Sequence, residues 1–278
     1  MGIGNDDMDS RSIAMTASVS YPMGAPCWVE TLQPDPDAAV DFYRELMGWT
    51  FDEAGPGSYR VALLDGRRVA GIGQAPPMLD RGAWVTYILV ADLDQTVVAV
   101  LEGGGAVLAG PLEGRDGERT AVFTDPSGAA FGVRQGSSPI VAEIVDAPGA
   151  WQMSALHTPD LMGAQTFYAK TFGWRIEAAP GAGMNLWRLA GSTRRVYDPT
   201  LLDDVIGVAA GVDPASGVPP HWAVNVQVSD TDALAARVVK LGGSMLMPPT
   251  DAPGFRNAVL ADPSGGVLAV SQIVTATG

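Results

Sequence analysis

The sequence has very few of the residues that most often bind metals or form disulfides. Its 278 residues include one cysteine, Cys27, and two histidines, His157 and His221. A single cysteine excludes an internal disulfide and any zinc site built on paired thiolates. Two histidines exclude a multi-histidine site. The glycine run at 103–105 lacks the lysine of a phosphate-binding loop. We therefore expect no cofactor.

Positive charge is also scarce. Lysine and arginine total 17 against 31 aspartates and glutamates, which gives a net charge of −14 and a pI near 4.4. Binding to phosphate backbones requires clustered cations, and here the cations are scattered among more numerous acids. Nucleic acids and anionic membrane surfaces are therefore excluded as expected partners.

Long hydrophobic runs are missing as well. No stretch reaches the roughly 18 apolar residues of a membrane-spanning helix. Near the N-terminus, Asp6, Asp7 and Asp9 stand where a signal peptide would carry positive charge. We expect a cytoplasmic protein with a flexible leader over residues 1–24.

The chain contains an internal repeat. WVETLQPDPDAAVDFYRELMGW from Trp28 matches QMSALHTPDLMGAQTFYAKTFGW from Gln152, and FTDPSGAAFGV from Phe123 matches LADPSGGVLAV from Leu260. Between them, WVTYILVADLDQTVVAVLEGGGAVL from Trp84 matches HWAVNVQVSDTDALAARVVKLGGSML from His221. Three matched segments in one order predict a duplicated domain, at residues 25–136 and 150–274, with a linker at 137–149.

Each half has the pattern of two βαβββ units. Asp35 is a good N-cap, apolar residues recur at helical spacing after it, and Gly48 ends the helix. Asp160 and Gly173 repeat this arrangement, and short alternating strands follow each helix. The sequence therefore predicts an α+β fold of four tandem βαβββ modules that form two half-open barrels, here called the first cup and the second cup.

These motifs resemble those of the vicinal oxygen chelate superfamily, which includes glyoxalase I, bleomycin-resistance proteins and extradiol dioxygenases. The likeness rests on the helix-capping segment at 28–49, on the module W-x-x-Y-x-x-V-x-D-L-D from Trp84, and on the DPSGAAFGV ending. It covers about 250 residues and is strongest to two-domain actinobacterial members associated with aromatic polyketide tailoring. It implies a fold more strongly than a reaction.

The resemblance also implies where metal ligands would stand. In metal-dependent members they lie on the first strand of a unit and after the D-P-x-G turn; here those positions hold Trp28, Val85, Gly132, Met153, Ala223 and Ala269. None of these side chains suits a hard divalent cation. A shift of two residues would bring in only Glu30 or His221, one ligand per half. We therefore expect no bound metal.

Strand parity identifies the candidate site residues, because alternate side chains share one face. The proposed catalytic groups are Glu30, His221 and Tyr87. The proposed ligand-binding groups are Trp28, Trp84, Arg134, Met153, His157, Asn225 and Gln227. Each also has a structural interpretation: Glu30 as the ion-pair partner of Arg134 or Arg60, the tryptophans as core residues, and His157 as a hydrogen-bonded strand end.

Three functions fit these features. The first is a metal-independent tailoring enzyme for an aromatic or polycyclic secondary metabolite, working by proton transfer in a cyclisation, isomerisation, dehydration or assisted oxygenation. The second is a drug-binding or self-resistance protein, in which acidic charge and tryptophan stacking hold a cationic drug. The third is a metal-dependent lyase or dioxygenase, which the missing ligands disfavour. A small aromatic ligand is the expected partner, and a homodimer and a partner oxygenase are left open.

Parity favours the first cup as the working site. There a flat ligand would stack on Trp28 and direct its polar edge toward Glu30, whereas Ala155 stands at the equivalent position of the second half. The second half instead offers His221, Asn225 and Gln227, together with an expansion at 188–217 that suits a lid.

Overall fold

The computed structural model describes residues 21–274 except for 54, 56–57, 78, 115–116, 180–183 and 193–203. Residues 1–20 of the predicted leader and the central part of the predicted lid lie outside the described residues. The structure confirms the predicted α+β fold of four βαβββ modules. Among the described helices, none has both the length and the apolarity that crossing a bilayer requires.

The first half contains two modules. The first module comprises β1 (Pro26–Gln33), α1 (Pro36–Met47), β2 (Thr50–Phe51), β3 (Arg60–Leu64) and β4 (Arg67–Gln74). The second comprises β5 (Ala83–Leu89), α2 (Leu93–Glu102), β6 (Ala106–Glu113), β7 (Arg119–Thr124) and β8 (Ala130–Gln135).

The second half repeats this order. Its first module comprises β9 (Trp151–Thr158), α3 (Leu161–Phe172), β10 (Arg175–Ala178), β11 (Asn185–Arg188) and β12 (Val205–Gly211). Its second comprises β13 (His221–Gln227), α4 (Thr231–Lys240), β14 (Ser244–Ala252), β15 (Phe255–Ala261) and β16 (Val267–Ile273).

Each half forms one eight-stranded mixed sheet. The strand orders are β2-β3-β4-β1-β5-β8-β7-β6 and β10-β11-β12-β9-β13-β16-β15-β14, which are the same topology twice. In each sheet the opening strands of the two modules pair antiparallel at the centre, β1 with β5 and β9 with β13. The residues at the centre of each sheet are therefore those that the sequence repeat aligns.

All four helices begin after an aspartate cap, and α1 and α3 begin where the sequence predicts. Asp35, Asp92, Asp160 and Asp230 are N-caps whose side chains each accept a hydrogen bond from the backbone amide three residues later. At the other end of α1 and α3, Gly48 and Gly173 adopt left-handed backbone angles, with φ of 73° and 75°.

Two apolar cores join the halves. One contains α1 of the first half together with α4 and strand residues of the second, such as Val238 and Leu260. The other joins residues of α2 and α3, such as Val100 and Phe167. Each core is thus shared between the halves, and the helix-free face of each sheet lies opposite it.

A buried hydrogen-bonded chain crosses the first of these cores. The Tyr43 hydroxyl donates to Asp262 Oδ2 at 2.9 Å and accepts from Trp84 Nε1 at 3.0 Å, and Gln33 Nε2 also donates to Asp262. Burial, together with the Asp262 carboxylate, raises the pKa of Tyr43 well above its ordinary value, so this hydroxyl remains a donor.

The second core contains the equivalent chain. Tyr168 donates to Asp125 Oδ2 at 3.1 Å and accepts from Trp222 Nε1 at 2.8 Å. In both chains the aspartate of an Asp-Pro-Ser-Gly turn in one half meets the helix tyrosine and the strand tryptophan of the other. The most recognisable repeated motifs therefore hold the two halves together.

The Gly-Trp pairs that follow α1 and α3 each bond to a segment outside the two halves. Trp49 Nε1 donates to the Gly149 carbonyl at 2.7 Å, and Trp174 Nε1 donates to the Gly24 carbonyl at 2.6 Å. Gly24 belongs to the predicted leader, whose last residues, 21–24, are thus tied to the core. Gly149 belongs to the predicted linker.

Candidate functional site

The first cup is the helix-free face of the first sheet, and it is centred on Glu30. The carboxylate of this β1 residue accepts from Tyr87 at 2.6 Å and from Tyr59 at 2.8 Å. Arg134 Nη2 lies 3.5 Å from Glu30 Oε2. Glu30 and Arg134 are only 5% and 3% exposed. Glu30, Tyr87 and Arg134 therefore meet as predicted, and Arg134 is the ion-pair partner, since Arg60 pairs with an exposed aspartate instead.

Tyr59 completes this network and was not identified from the sequence. Its hydroxyl accepts from Trp28 Nε1 at 3.0 Å while donating to Glu30. Burial and the nearby Glu30 carboxylate raise the pKa of both Tyr59 and Tyr87 well above the ordinary value. Both phenols therefore stay protonated and serve as hydrogen-bond donors to the carboxylate.

Glycine makes room for the two tyrosines. A Cβ on Gly71 would lie 2.1 Å from the Tyr59 hydroxyl oxygen, and a Cβ on Gly132 would lie 2.4 Å from the Tyr87 ring. Gly132 occupies a position where the family resemblance implies a metal ligand. In this chain that space is filled by an aromatic ring.

The network leaves the first cup closed. Glu118 Oε1 accepts from Arg134 at 2.8 Å and from the backbone N–H of Ile140 at 3.1 Å, which ties the linker to the network. The Arg134 guanidinium also lies 5.2 Å from the centre of the Tyr87 ring, at cation–π distance. Trp28 is 0% exposed. The stacking surface that we expected Trp28 to offer a ligand is therefore covered by the chain's own side chains in this structure.

Trp84, a further predicted ligand-binding residue, lies on the other face of the first sheet. It is buried, and its indole N–H donates to Tyr43 in the core between the halves. Its position agrees with the structural interpretation of this tryptophan, because alternation along β5 directs Trp84 and Tyr87 to opposite faces.

The second cup, the helix-free face of the second sheet, is open by comparison. The repeat aligns four large residues of the first cup with smaller ones of the second: Trp28 with Met153, Glu30 with Ala155, Tyr87 with Asn225, and Arg134 with Ser271. Strand register supports this alignment, since Trp28 pairs with Tyr87 and Met153 pairs with Asn225. Along β9 and β13 the residues of this face, apart from buried Gln227, are half-buried and alternate with fully buried ones.

Two histidines lie side by side at one end of the second cup. His157 on β9 and His221 on β13 are cross-strand partners whose rings stack 4.7 Å apart at 9°. His221 Nδ1 lies 2.8 Å from the Pro219 carbonyl oxygen, which can only accept, so the proton of neutral His221 is on Nδ1 and Nε2 is free to act as a base. Burial, and secondarily His221, lower the pKa of His157 below 6.5. His157 is therefore mostly neutral near pH 7.

The rest of the second cup has an apolar wall and a polar wall. The apolar wall combines buried Leu186, Val205 and Val208 with half-buried Met153 and Ala155. On the polar wall, Asn225 Nδ2 donates to Ser271 Oγ at 2.7 Å, and Gln227 and Asn257 stand nearby on β13 and β15. A mainly apolar surface with a few convergent polar groups is typical of a small-molecule site.

The side chains present do not suit the divalent cation that the family resemblance implies. The six expected positions hold no oxygen or imidazole donors, and a cation at Glu30 would lie against the Arg134 guanidinium. Within the described ranges, no group of three or more His, Cys, Asp or Glu side chains could hold a metal. A catalytic metal usually requires about three protein ligands.

Comparisons with known proteins agree with this architecture. The model of the Glyoxalase/Bleomycin resistance protein/Dioxygenase superfamily matches residues 28–133, and that of a glyoxalase-like domain matches residues 153–271. Among solved structures, the Mn(II)-bound glyoxalase from Novosphingobium aromaticivorans is similar in fold, with a TM-score of 0.59 at 17% identity over 90% of this chain and 82% of that one.

Curated relatives match almost the whole chain. CFP32 of Mycobacterium tuberculosis, named as a candidate glyoxylase, is 36% identical over 260 residues, which are 90% of this chain and 95% of the relative. The anthracycline biosynthesis protein DnrV of Streptomyces peucetius is 33% identical over 269 residues, 90% of this chain and 94% of the relative. The chain therefore belongs to the glyoxalase/bleomycin resistance protein/dioxygenase superfamily, with the family domain present in two copies.

Proposed function

We propose that the protein is a metal-independent tailoring enzyme for an aromatic polyketide and that the second cup is its active site. The observation that carries this proposal is the difference between the cups: the first is filled by Tyr59 and Tyr87, whereas the second has smaller, half-buried side chains beside two histidines. The anthracycline biosynthesis relatives DauV and DnrV, each 33% identical, support the substrate class.

The second cup has the groups that proton transfer requires. A flat polycycle would lie against Ala155 and Ala223, which are small, half-buried residues of this face. His221 Nε2 would accept a proton from one position of the substrate and return it at another, so the step needs no oxidant or metal. His157 beside it is mostly neutral near pH 7 and adds no positive charge to the site.

The first cup, in this proposal, serves stability rather than chemistry. Glu30 has two phenolic donors and one guanidinium partner, so it is held as a hydrogen-bonded carboxylate beside Arg134. These contacts occupy both carboxylate oxygens.

The proposal is tested by comparing His221→Ala with Glu30→Gln. Turnover is measured on a panel of anthraquinones and anthracyclinones, and affinity for 2,6-dihydroxyanthraquinone is measured by calorimetry. We expect His221→Ala to lower turnover by roughly 10²–10⁴-fold with little effect on affinity. Glu30→Gln should leave both unchanged in protein that remains folded.

The reverse result, with activity lost in Glu30→Gln and kept in His221→Ala, would place the chemistry in the first cup. Tight binding with no turnover of any panel compound would instead favour a binding or self-resistance role. Metal independence is checked separately by elemental analysis of protein purified without chelator, where near one equivalent of a transition metal would contradict it.

A further inference from the structure

The polar wall of the second cup has three amide oxygens without a partner. Asn225 Oδ1, Gln227 Oε1 and Asn257 Oδ1 are buried and accept no hydrogen bond from any described residue. Gln227 as a whole is 7% exposed. A buried acceptor without a donor is costly, so three on one wall indicate that a group other than the described residues donates to them.

These oxygens lie together because of strand register. Gln227 and Asn257 both pair with Ser271 of β16, from opposite sides, and Ser271 in turn accepts from Asn225. The buried residues that alternate with them, Val226 and Ala258, belong to the core on the helix side. The three amides therefore share the helix-free face.

The charge of this wall limits the kind of group that it can bind. Arg256, the cation nearest in sequence to Asn257, is paired with Asp232 of α4 and with Asp251, and its position on β15 directs it to the opposite face. The amides offer no positive charge to an anionic ligand and no carboxylate to a cationic one. Neutral hydroxyl groups are the donors that suit carbonyl oxygens of this kind.

We propose that the polar wall recognises phenolic hydroxyl groups along one edge of the polycyclic substrate. This inference rests on the proposed function and narrows its substrate class to hydroxylated aromatics. The histidine pair stands four residues from Asn225 along β13, a rise of roughly 13 Å. A ligand that reaches from the amides to the histidines therefore needs several fused rings, with the hydroxylated edge remote from the reacting ring.

Two matched probes test this proposal. Naphthalene-2,7-diol carries two phenolic donors on one edge, and 2,7-dimethoxynaphthalene carries none. We expect the diol to bind more tightly to the wild-type protein, and Asn257→Leu to weaken diol binding by roughly 3–10-fold without affecting the ether. Asn185→Leu is the matched control, because Asn185 stands on β11 of the same sheet and donates toward Ala209, a core residue.

Two further variants separate this proposal from the site assignment. Ala223→Trp, or Ala155→Phe if the first does not fold, would fill the second cup. If the filled variant binds neither probe and the wild-type protein binds both probes equally well, the site assignment stands and hydroxyl recognition is wrong. Tighter binding of the ether would show that the amides donate rather than accept, which also overturns it. Unchanged binding in the filled variant would instead contradict the site itself.

Discussion

Glu30 illustrates how one residue can have the chemistry of a catalytic group and the environment of a structural one. Each of its carboxylate oxygens accepts a hydrogen bond from a tyrosine, and Arg134 lies beside it. Hydrogen bonds to charged groups contribute about 1.5–3 kcal/mol each to stability. Glu30 is therefore expected to matter for folding before it matters for chemistry.

We predict that Glu30→Gln lowers the free energy of unfolding by about 1.5–3 kcal/mol, as measured by denaturant titration. Glu143→Gln is the matched control, because its ion pair with Arg68 is half-exposed, at 39% for each side chain. The control should cost less than about 1 kcal/mol. Equal costs in the two variants would mean that the first-cup network stabilises no more than a surface pair.

The lowered pKa of His157 predicts how the stability of the protein depends on pH. The pKa of this histidine lies below 6.5 in the folded protein because it is buried and faces His221. Below about pH 6.5 the unfolded chain binds a proton that the folded chain does not, so stability falls as the pH falls through this window. His157→Gln should reduce this acid dependence in unfolding experiments between about pH 7.5 and pH 5. If the free energy of unfolding of the variant depends on pH as steeply as that of the wild type, protonation of His157 is not coupled to folding.

At the scale of the strand, the first cup depends on glycine at position 132. Gly132→Ala would place a Cβ 2.4 Å from the Tyr87 ring, and overpacking of this kind costs about 1–3 kcal/mol. The equivalent residue of the second sheet is already an alanine, Ala269, where the facing residue is the smaller Asn225. Ala269→Gly is therefore the control, with an expected change well below that of Gly132→Ala. If thermal unfolding shows that Gly132→Ala and Ala269→Gly change the stability equally, the first cup is not closely packed.

At the scale of the helix, α1 and α3 each contribute a tyrosine that links the halves. Tyr43→Phe would leave the Trp84 indole N–H without its acceptor and would remove one donor from Asp262. We expect this change and its counterpart, Tyr168→Phe, each to lower the free energy of unfolding by about 1–3 kcal/mol. Losses below about 0.5 kcal/mol in both variants would indicate that these chains contribute little to the interface.

The elements were predictable from the sequence because their signals are local. Aspartate caps, the glycines that end α1 and α3, and the Asp-Pro-Ser-Gly turns act within a few residues of the backbone that they shape. The repeat then predicted that the halves share one topology, because two copies of one sequence pattern adopt the same fold.

Local sequence signals do not predict which cup is filled by side chains and which is open. Tyr59 precedes β3, and only the fold carries its hydroxyl to Glu30 and Trp28. The difference between the cups had a signal in the repeat itself, where large residues such as Tyr87 align with small ones such as Asn225. Side-chain volume at aligned positions, compared half against half, would have identified the open cup.

At the scale of the molecule, duplication has let the two cups diverge while the shared cores stayed alike. Both cores use the same tryptophan, tyrosine and aspartate chain, but only the second half leaves its helix-free face open. We therefore propose that the first half serves stability and the second half binds the ligand.

A crystal structure with bound 2,6-dihydroxyanthraquinone tests this assignment most directly. We expect the ring system to lie in the second cup against Ala155 and Ala223, with one hydroxyl toward the amides of Asn225 and Asn257. The Glu30 network of the first cup should be unchanged. A ligand found in the first cup, stacked on Trp28 with Tyr59 displaced, would show that the first cup is the binding site.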